Sequence, residues 1–220
     1  LAATIGDTVL YDEHLPIVEI GANDGILLQK LAERTTNAIG IEPSTNVANE
    51  ARKKGLNIIT EFFTPNLAGS ITDEHGLAQL VVGANVLCHI PDLHSLARAL
   101  GILLDTEGVF IFEDPYLLEI ITKMSYDQIY DEHVYYFSVL SLARLFEKHG
   151  LRIFHVEPIP VHGGSMRIYG CRENSDRQTH ASVTTQISLE LENQLDKLYT
   201  YTAYATRVQR SRASLIDLLH

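Results

Sequence analysis

Residues 126–138 read Tyr-Asp-Gln-Ile-Tyr-Asp-Glu-His-Val-Tyr-Tyr-Phe-Ser, a crowding of acids, aromatics and a histidine that is the most unusual stretch of the chain. Its helical periodicity is poor, and burying Asp131, Glu132 and His133 without partners costs free energy. The segment therefore needs a dedicated hydrogen-bond network or lines a polar substrate pocket. A second constellation is Val18-Glu19-Ile20-Gly21-Ala22-Asn23-Asp24-Gly25, a strand running into a glycine-bearing turn and then a helix. Gly21 and Gly25 permit close backbone approach, and the free amides of a helix start favour anionic or polar ligand atoms. The G-x-x-x-G spacing lacks the third glycine of the dinucleotide fingerprint, so by itself it also fits a structural turn. Glu42, in Gly40-Ile41-Glu42-Pro43, stands twenty-one positions after Gly21, where a carboxylate accepts bonds from both hydroxyls of a ribose. A surface Glu starting a helix is the alternative.

Two further polar groups close strands. Asn85-Val86-Leu87-Cys88-His89-Ile90-Pro91-Asp92 puts Asn85 and His89 at the carboxyl edge of a sheet, where open α/β folds bind ligands, although a His beside a Pro also serves as a plain turn residue. His162-Gly163-Gly164-Ser165-Met166-Arg167 is a polar turn feeding a strand, and reads equally as a hairpin entrance. Cys88 reads as a small buried apolar residue, since nothing near it in sequence activates its thiol.

The elements that must position these groups alternate short β-branched runs with longer amphipathic stretches, the pattern of a parallel sheet with helices on both faces. Strands are predicted over 16–20, 37–41, 56–59, 80–86, 109–113, 151–156 and 165–171. Helical stripes run through Ile26, Leu27 and Leu31, through Leu93, Leu96, Leu100 and Leu103, and from Leu140 to Phe146. Beyond about residue 174 the spacing of Ile187, Leu191, Leu195, Leu198, Ala205, Val208 and Leu215, with no Gly or Pro from Ala181 to His220, predicts one long helix. The expected division is thus a first unit over 1–174 and a helix over 175–220.

Composition limits the function classes. The 220 residues are 45% hydrophobic and 20% charged, enough for a full core. Seventeen Lys and Arg against 28 Asp and Glu give a net charge of −11, which opposes general attraction to nucleic acid or an anionic membrane. Two cysteines exclude a disulfide framework and a four-cysteine zinc site within this chain, and fit a reducing cytoplasm. No apolar stretch reaches the roughly 20 residues that span a bilayer. The sequence begins Leu-Ala-Ala-Thr without an initiator Met, as a fragment does.

Glu-Ile-Gly-Ala-Asn-Asp-Gly followed by Gly-Ile-Glu-Pro-Ser resembles motif I and the ribose-binding acid of class I S-adenosylmethionine methyltransferases. A nicotinamide enzyme is the minor alternative. The resemblance places Gly21, Asn23 and Gly25 beside the amino-acid part of the cofactor and Glu42 on its ribose. Glu19 would support the cofactor's amino group, Phe62 or Phe63 would pack against adenine, and Asn85 would join the cofactor site. With His-Ile-Pro-Asp, Tyr-Asp-Glu-His-Val-Tyr-Tyr-Phe-Ser and His-Gly-Gly-Ser-Met-Arg-Ile-Tyr added, residues 14–220 resemble the sugar C-methyltransferase family, whose characterised members methylate C3 of nucleotide-linked 4-keto-deoxysugars. That family carries an amino-terminal zinc-binding domain with a Cys cluster and a second α/β domain after the long helix. The resemblance therefore implies that this chain is the central cofactor-binding domain with its linking helix, the flanking domains lying elsewhere in a longer protein and any zinc belonging to the first of them.

The implied chemistry removes a proton next to the sugar ketone and lets the resulting carbanion attack the cofactor's methyl, with no metal or cysteine nucleophile. By motif position His133 is the base, which His supplies near neutrality. Glu132 orients the sugar or the neighbouring imidazole, Tyr130 hydrogen-bonds the developing enolate oxygen, and His89 steadies the substrate. An O- or N-methyltransferase of another small molecule and a non-catalytic domain retaining the fold are the rival readings.

Overall fold

The structure is a computed structural model, and it describes residues 12–219. Seven strands form one sheet: β1 Ile17–Ile20, β2 Ala38–Ile41, β3 Asn57–Ile59, β4 Ala78–Ala84, β5 Leu104–Pro115, β6 Leu151–Ile159 and β7 Ser165–Arg172. Their order is β3-β2-β1-β4-β5-β7-β6. The first five run parallel, and β7 is antiparallel to both β5 and β6. The sheet is therefore mixed rather than purely parallel. The turn at Val161–Gly163 joins β6 directly to β7, and so short a connection permits only antiparallel pairing.

The central strand β1, Ile-Val-Glu-Ile, is buried along its whole length, as a strand covered on both faces must be. Val18, Ile20, Ile39, Ile41, Val81, Phe110 and Phe112 face one layer of helices: α3 (Pro65–His75), α4 (Leu93–Leu103) and α6 (Val139–Glu147). Leu28 of α1 (Ile26–Leu31) packs with Ala48 and Ala51 of α2 (Thr45–Lys53) on the opposite side. The helix starts are written locally. Thr64 accepts from Leu67 N at 3.3 Å with Pro65 in the first turn, and Asp92 accepts from Ser95 N at 2.8 Å. Ser138 and Ser141 form a reciprocal capping box ahead of α6. In β7, a Cβ at Gly170 would lie 1.9 Å from Phe110 Cζ, so the absent side chain is what lets that ring cross the neighbouring strand.

Strand β4 ends at Ala84, earlier than the sequence predicts, which frees Asn85 and Val86 for the turn that follows. The single carboxy-terminal helix is also divided. A long helix, α8 (Leu198–Leu219), is present, preceded by a separate α7 (Ala181–Glu192). Gln194 has φ +59°, Gln194 N bonds to Leu191 O at 2.9 Å and Leu195 N to Glu190 O at 3.0 Å. That is a Schellman stop with glutamine where glycine is usual, fastened by the buried Leu195. Short α5 (Leu117–Lys123) leads from β5 into the Tyr126–Ser138 segment. No helix of the described residues is long and apolar enough to cross a membrane.

Candidate active site

The chain order reverses between β1 and β4, which opens a crevice at their carboxyl ends. A cleft of about 760 Å³ lies there, lined among others by Gly21, Asn23, Glu42, Phe62, Asn85 and His89. The turn after β1 is tied to β2 by Gly21 N and Ala22 N, which both donate to Ile41 O at 2.9 and 3.1 Å. Gly21 has φ +69°, and a Cβ there would meet Val86 Cγ2 at 2.9 Å, so glycine gives the cleft its floor. The Glu42 carboxylate accepts Asn23 N at 3.1 Å and Ser44 N at 2.8 Å. Both oxygens are fixed by main-chain donors while each keeps a lone pair for a ligand. Phe62 is 75% exposed at the rim, whereas Phe63 belongs to the core.

Gly25 in the turn and Glu19 in β1 also have structural surroundings of their own. Gly25 stands at the start of α1 with φ +81°, and a Cβ on it would lie 2.3 Å from Leu56 Cδ1, so its smallness serves packing against the β2–β3 layer. Glu19 is not among the cleft-lining residues. It is buried beneath α1, beside the Leu28 amide, with Oε2 lacking a partner among the described residues, and burial pushes its carboxyl up to about 8. The support for the cofactor's amino group assigned to Glu19 rests on the resemblance.

The Tyr126–Ser138 segment, a 3₁₀ turn (Tyr126–Gln128) and a loop that enters α6, packs against Cys88, His89 and Pro91, of which the last two line the cleft. Hydrogen bonds of the kind a structural cluster would need are present in it. His133 Nδ1 lies 3.0 Å from Gln128 O, and because a carbonyl only accepts, the proton is on Nδ1. Nε2 therefore carries the lone pair, and the Tyr130 hydroxyl donates to it at 2.7 Å. His89 Nδ1 donates in the same way to Glu132 O at 2.8 Å, and the rings of His89 and His133 lie 5.1 Å apart. Tyr130, His133 and His89 lie together. Glu132 reaches His89 through its main-chain oxygen, its side chain being exposed. Burial lowers the His133 pKa from its ordinary value, against an opposing pull from the Gln128 carbonyl.

Beneath this layer lies a residue that the sequence reading passed over. Asp114, 5% exposed at the end of β5, accepts Cys88 N at 3.1 Å, and Cys88 O in turn accepts Val134 N at 2.8 Å. The Cys88 peptide is thus the bridge by which the sheet sets the height of the His133 loop. Burial raises Asp114 to about 7 and, with Asp114 beside it, strongly raises the Cys88 thiol. Cys88, His89 and His133 each hold one ligand-type atom within 4.8 Å of the others. A second missed residue is Glu190 of α7, fully buried, which accepts the Tyr116 hydroxyl at 2.7 Å, Val139 N at 2.6 Å and Leu140 N at 2.9 Å. It caps α6 from 51 positions beyond Val139 and meets Tyr116 from 74 beyond, distances no local motif reveals. Arg207 of α8 donates to Ile121 O at 2.6 Å, at the end of α5.

A seven-stranded sheet with an antiparallel β7, a glycine turn after β1 and an acid closing β2 defines a Rossmann-like methyltransferase. The chain belongs to the family described as "Methyltransferase domain", which it matches over residues 7–156, and it matches "C-methyltransferase C-terminal domain" over residues 160–220. It is 34% identical over 203 residues to C-methyltransferase NovU of Streptomyces niveus, covering 92% of this chain and 48% of that protein. The chain thus spans about half the length of this curated relative. Among solved structures, the putative methyltransferase in complex with the Haloferax volcanii Trm112 activator has a TM-score of 0.62 at 14% identity, over 78% of this chain and 88% of that one. Magnesium protoporphyrin IX methyltransferase of Synechocystis, with bound S-adenosylhomocysteine, has a TM-score of 0.59 at 18% identity over 78% and 79%. These likenesses are of fold.

Proposed function

We propose that the chain is the cofactor-binding and catalytic part of an S-adenosylmethionine-dependent C-methyltransferase, and that its acceptor is the carbon next to the ketone of a nucleotide-linked keto-deoxysugar. The match to the C-methyltransferase family over 160–220 and the likeness to NovU support carbon as the acceptor. The keto-sugar is carried by the motif resemblance. The cleft suits the cofactor: Glu42 offers two oriented oxygens for the ribose, Gly21 and Asn23 bring main chain close to the amino-acid part, and the exposed Phe62 ring offers a face for adenine. Once bound, the cofactor supplies an electrophilic methyl group.

The remaining work falls to residues of the chain. The observation that carries the reading is the orientation of His133, whose Nδ1–H is engaged by Gln128 O and whose basic Nε2 faces the Tyr130 hydroxyl. One hydroxyl proton cannot serve two acceptors. When Tyr130 turns its O–H to the substrate's keto oxygen, Nε2 is released to take the neighbouring C–H proton, and the same movement stabilises the enolate that forms. His89, fixed by Glu132 O, holds the substrate from the cleft side. Asp114 anchors the loop through Cys88, and Glu190 caps α6.

The test is His133→Asn in the intact protein. Solvent deuterium exchange at the reacting carbon and methyl transfer should both fall at least about 10²-fold while cofactor affinity persists. Retention of both rates would move the base elsewhere, with His89 the next to replace. A product methylated on oxygen or nitrogen would overturn carbon as the acceptor.

A further inference from the structure

The turn Val161–Gly164 is left without a role by the reading above, although it is built with unusual care. Three successive carbonyls of the turn each accept a bond from the segment that leads into the active site. Gln128 Nε2 donates to His162 O at 2.9 Å, Lys123 Nζ to Gly163 O at 2.7 Å, and Tyr116 N to Gly164 O at 3.1 Å. A Cβ at Gly164 would lie 2.7 Å from Glu119 Cγ, so the turn is seated on α5 as well as bonded to it. A plain hairpin entrance needs none of these long-range tethers.

His162 itself is exposed and has φ +50°, while Asn85, across the end of the sheet, has φ +52°. Left-handed backbone at residues other than glycine is strained, and such strain gathers where side chains must be aimed. The two side chains meet, with Asn85 Nδ2 at 3.2 Å from His162 Nε2. An amide nitrogen only donates, so Nε2 is the acceptor and the ring proton sits on Nδ1. Asn85 lines the cleft next to His89, and Gln128, which holds His162 through its side chain, orients His133 through its carbonyl. One residue thus touches the His133 ring through its carbonyl and the His162 main chain through its amide, while the His162 ring itself is met by Asn85.

We infer that His162 forms the second wall of the acceptor pocket, facing the Tyr130–His133 segment, and that its Nδ1–H donates to an oxygen of the bound sugar. The inference rests on the proposed function and adds a binding group to it. The sugar is held between two histidines with fixed tautomers: His133 presents a lone pair and His162 a proton. His162 takes no part in the proton transfer, so its loss weakens acceptor binding and leaves the chemistry in place.

The experiment uses the intact protein with S-adenosylmethionine and a nucleotide-linked 4-keto-deoxysugar, comparing wild type, His162→Ala, His162→Gln and His133→Asn. His162→Ala should raise KM for the sugar roughly tenfold, the size of one neutral hydrogen bond, with kcat within about threefold. Cofactor affinity by calorimetry should not change. His162→Gln, which keeps both a donor and an acceptor, should recover most of the loss. An unchanged KM in a folded His162→Ala variant would overturn the inference while His133→Asn remained inactive. A parallel loss of cofactor affinity and KM that Gln does not repair would overturn it too, making the residue a structural support of Asn85. A wild-type protein that binds cofactor but neither exchanges nor methylates the sugar would overturn the proposed function and this inference with it.

Discussion

Gln128 O accepts the Nδ1 proton of His133 at 3.0 Å, and this one bond decides which nitrogen of the ring is basic. The ring is also held neutral over a wider range than a free imidazole, because burial lowers its pKa from the ordinary value of 6.5. Lowering keeps the basic form populated to lower pH. The acid limb of the pH–kcat/KM profile should therefore fall below about 6.5, and it should disappear in any residual activity of His133→Asn. An acid limb at or above the free imidazole value would assign the controlling ionisation to another group.

Glu42 should be the largest side-chain contributor to cofactor affinity. Its oxygens are already oriented by Asn23 N and Ser44 N, so a ligand gains charge-assisted bonds without paying to order the carboxylate. Such bonds are worth about 1.5–3 kcal/mol, and Glu42→Ala should weaken cofactor binding roughly ten- to a hundredfold by calorimetry. Wild-type affinity in the variant would remove Glu42 from the site.

Glu190 should matter for stability rather than for binding. Its removal leaves Tyr116 Oη, Val139 N and Leu140 N without their acceptor in a fully buried place. Glu190→Ala should cost about 3 kcal/mol or more in urea unfolding. Glu190→Gln should cost less, since one oxygen remains, but its amide would face a main-chain donor. A variant as stable as wild type would mean that α7 is not integral to the fold.

Glu19 gives a pH-dependent prediction with a definite sign. Its carboxyl is raised from 4.5 to about 8, so the folded state holds a proton that the unfolded chain releases. The stability this contributes is complete below the unfolded value and is lost as pH rises through the folded one. Glu19→Gln is neutral at every pH. It should match wild type near about pH 5 and exceed it near about pH 9 by about 1–3 kcal/mol, checked by unfolding at both. An equal difference at the two pH values would show that Glu19 is ionised throughout.

Much of this was legible in the chain because it is local. The strands, the glycine turn, Glu42 at the end of β2 and the polar run from Tyr126 announce themselves within a few residues, whereas the helix Pro65–His75, capped by Thr64, was not among the predicted stripes. What escaped acts across the fold. Glu190 meets Val139 51 positions away, Asp114 meets Cys88 26 away, and Gln128 meets His162 34 away, each through a contact that only the packed sheet creates. The break before α8 escaped for another reason: glutamine occupies the left-handed stop, and no Gly or Pro marks it. Gly25 was legible as a required glycine, and the fold adds that it makes room for Leu56.

The Cys88 peptide, with its N–H on Asp114 and its carbonyl on Val134, has a bearing on how this site tolerates change over generations. Position 88 contributes only main-chain atoms to the link between the sheet and the His133 loop, so its side chain is free to drift among small apolar residues with the geometry intact. Proline is the exception, since it has no N–H to give Asp114. A survey of variants that scores only side-chain identity would judge position 88 unimportant, and one containing proline would find the enzyme lost.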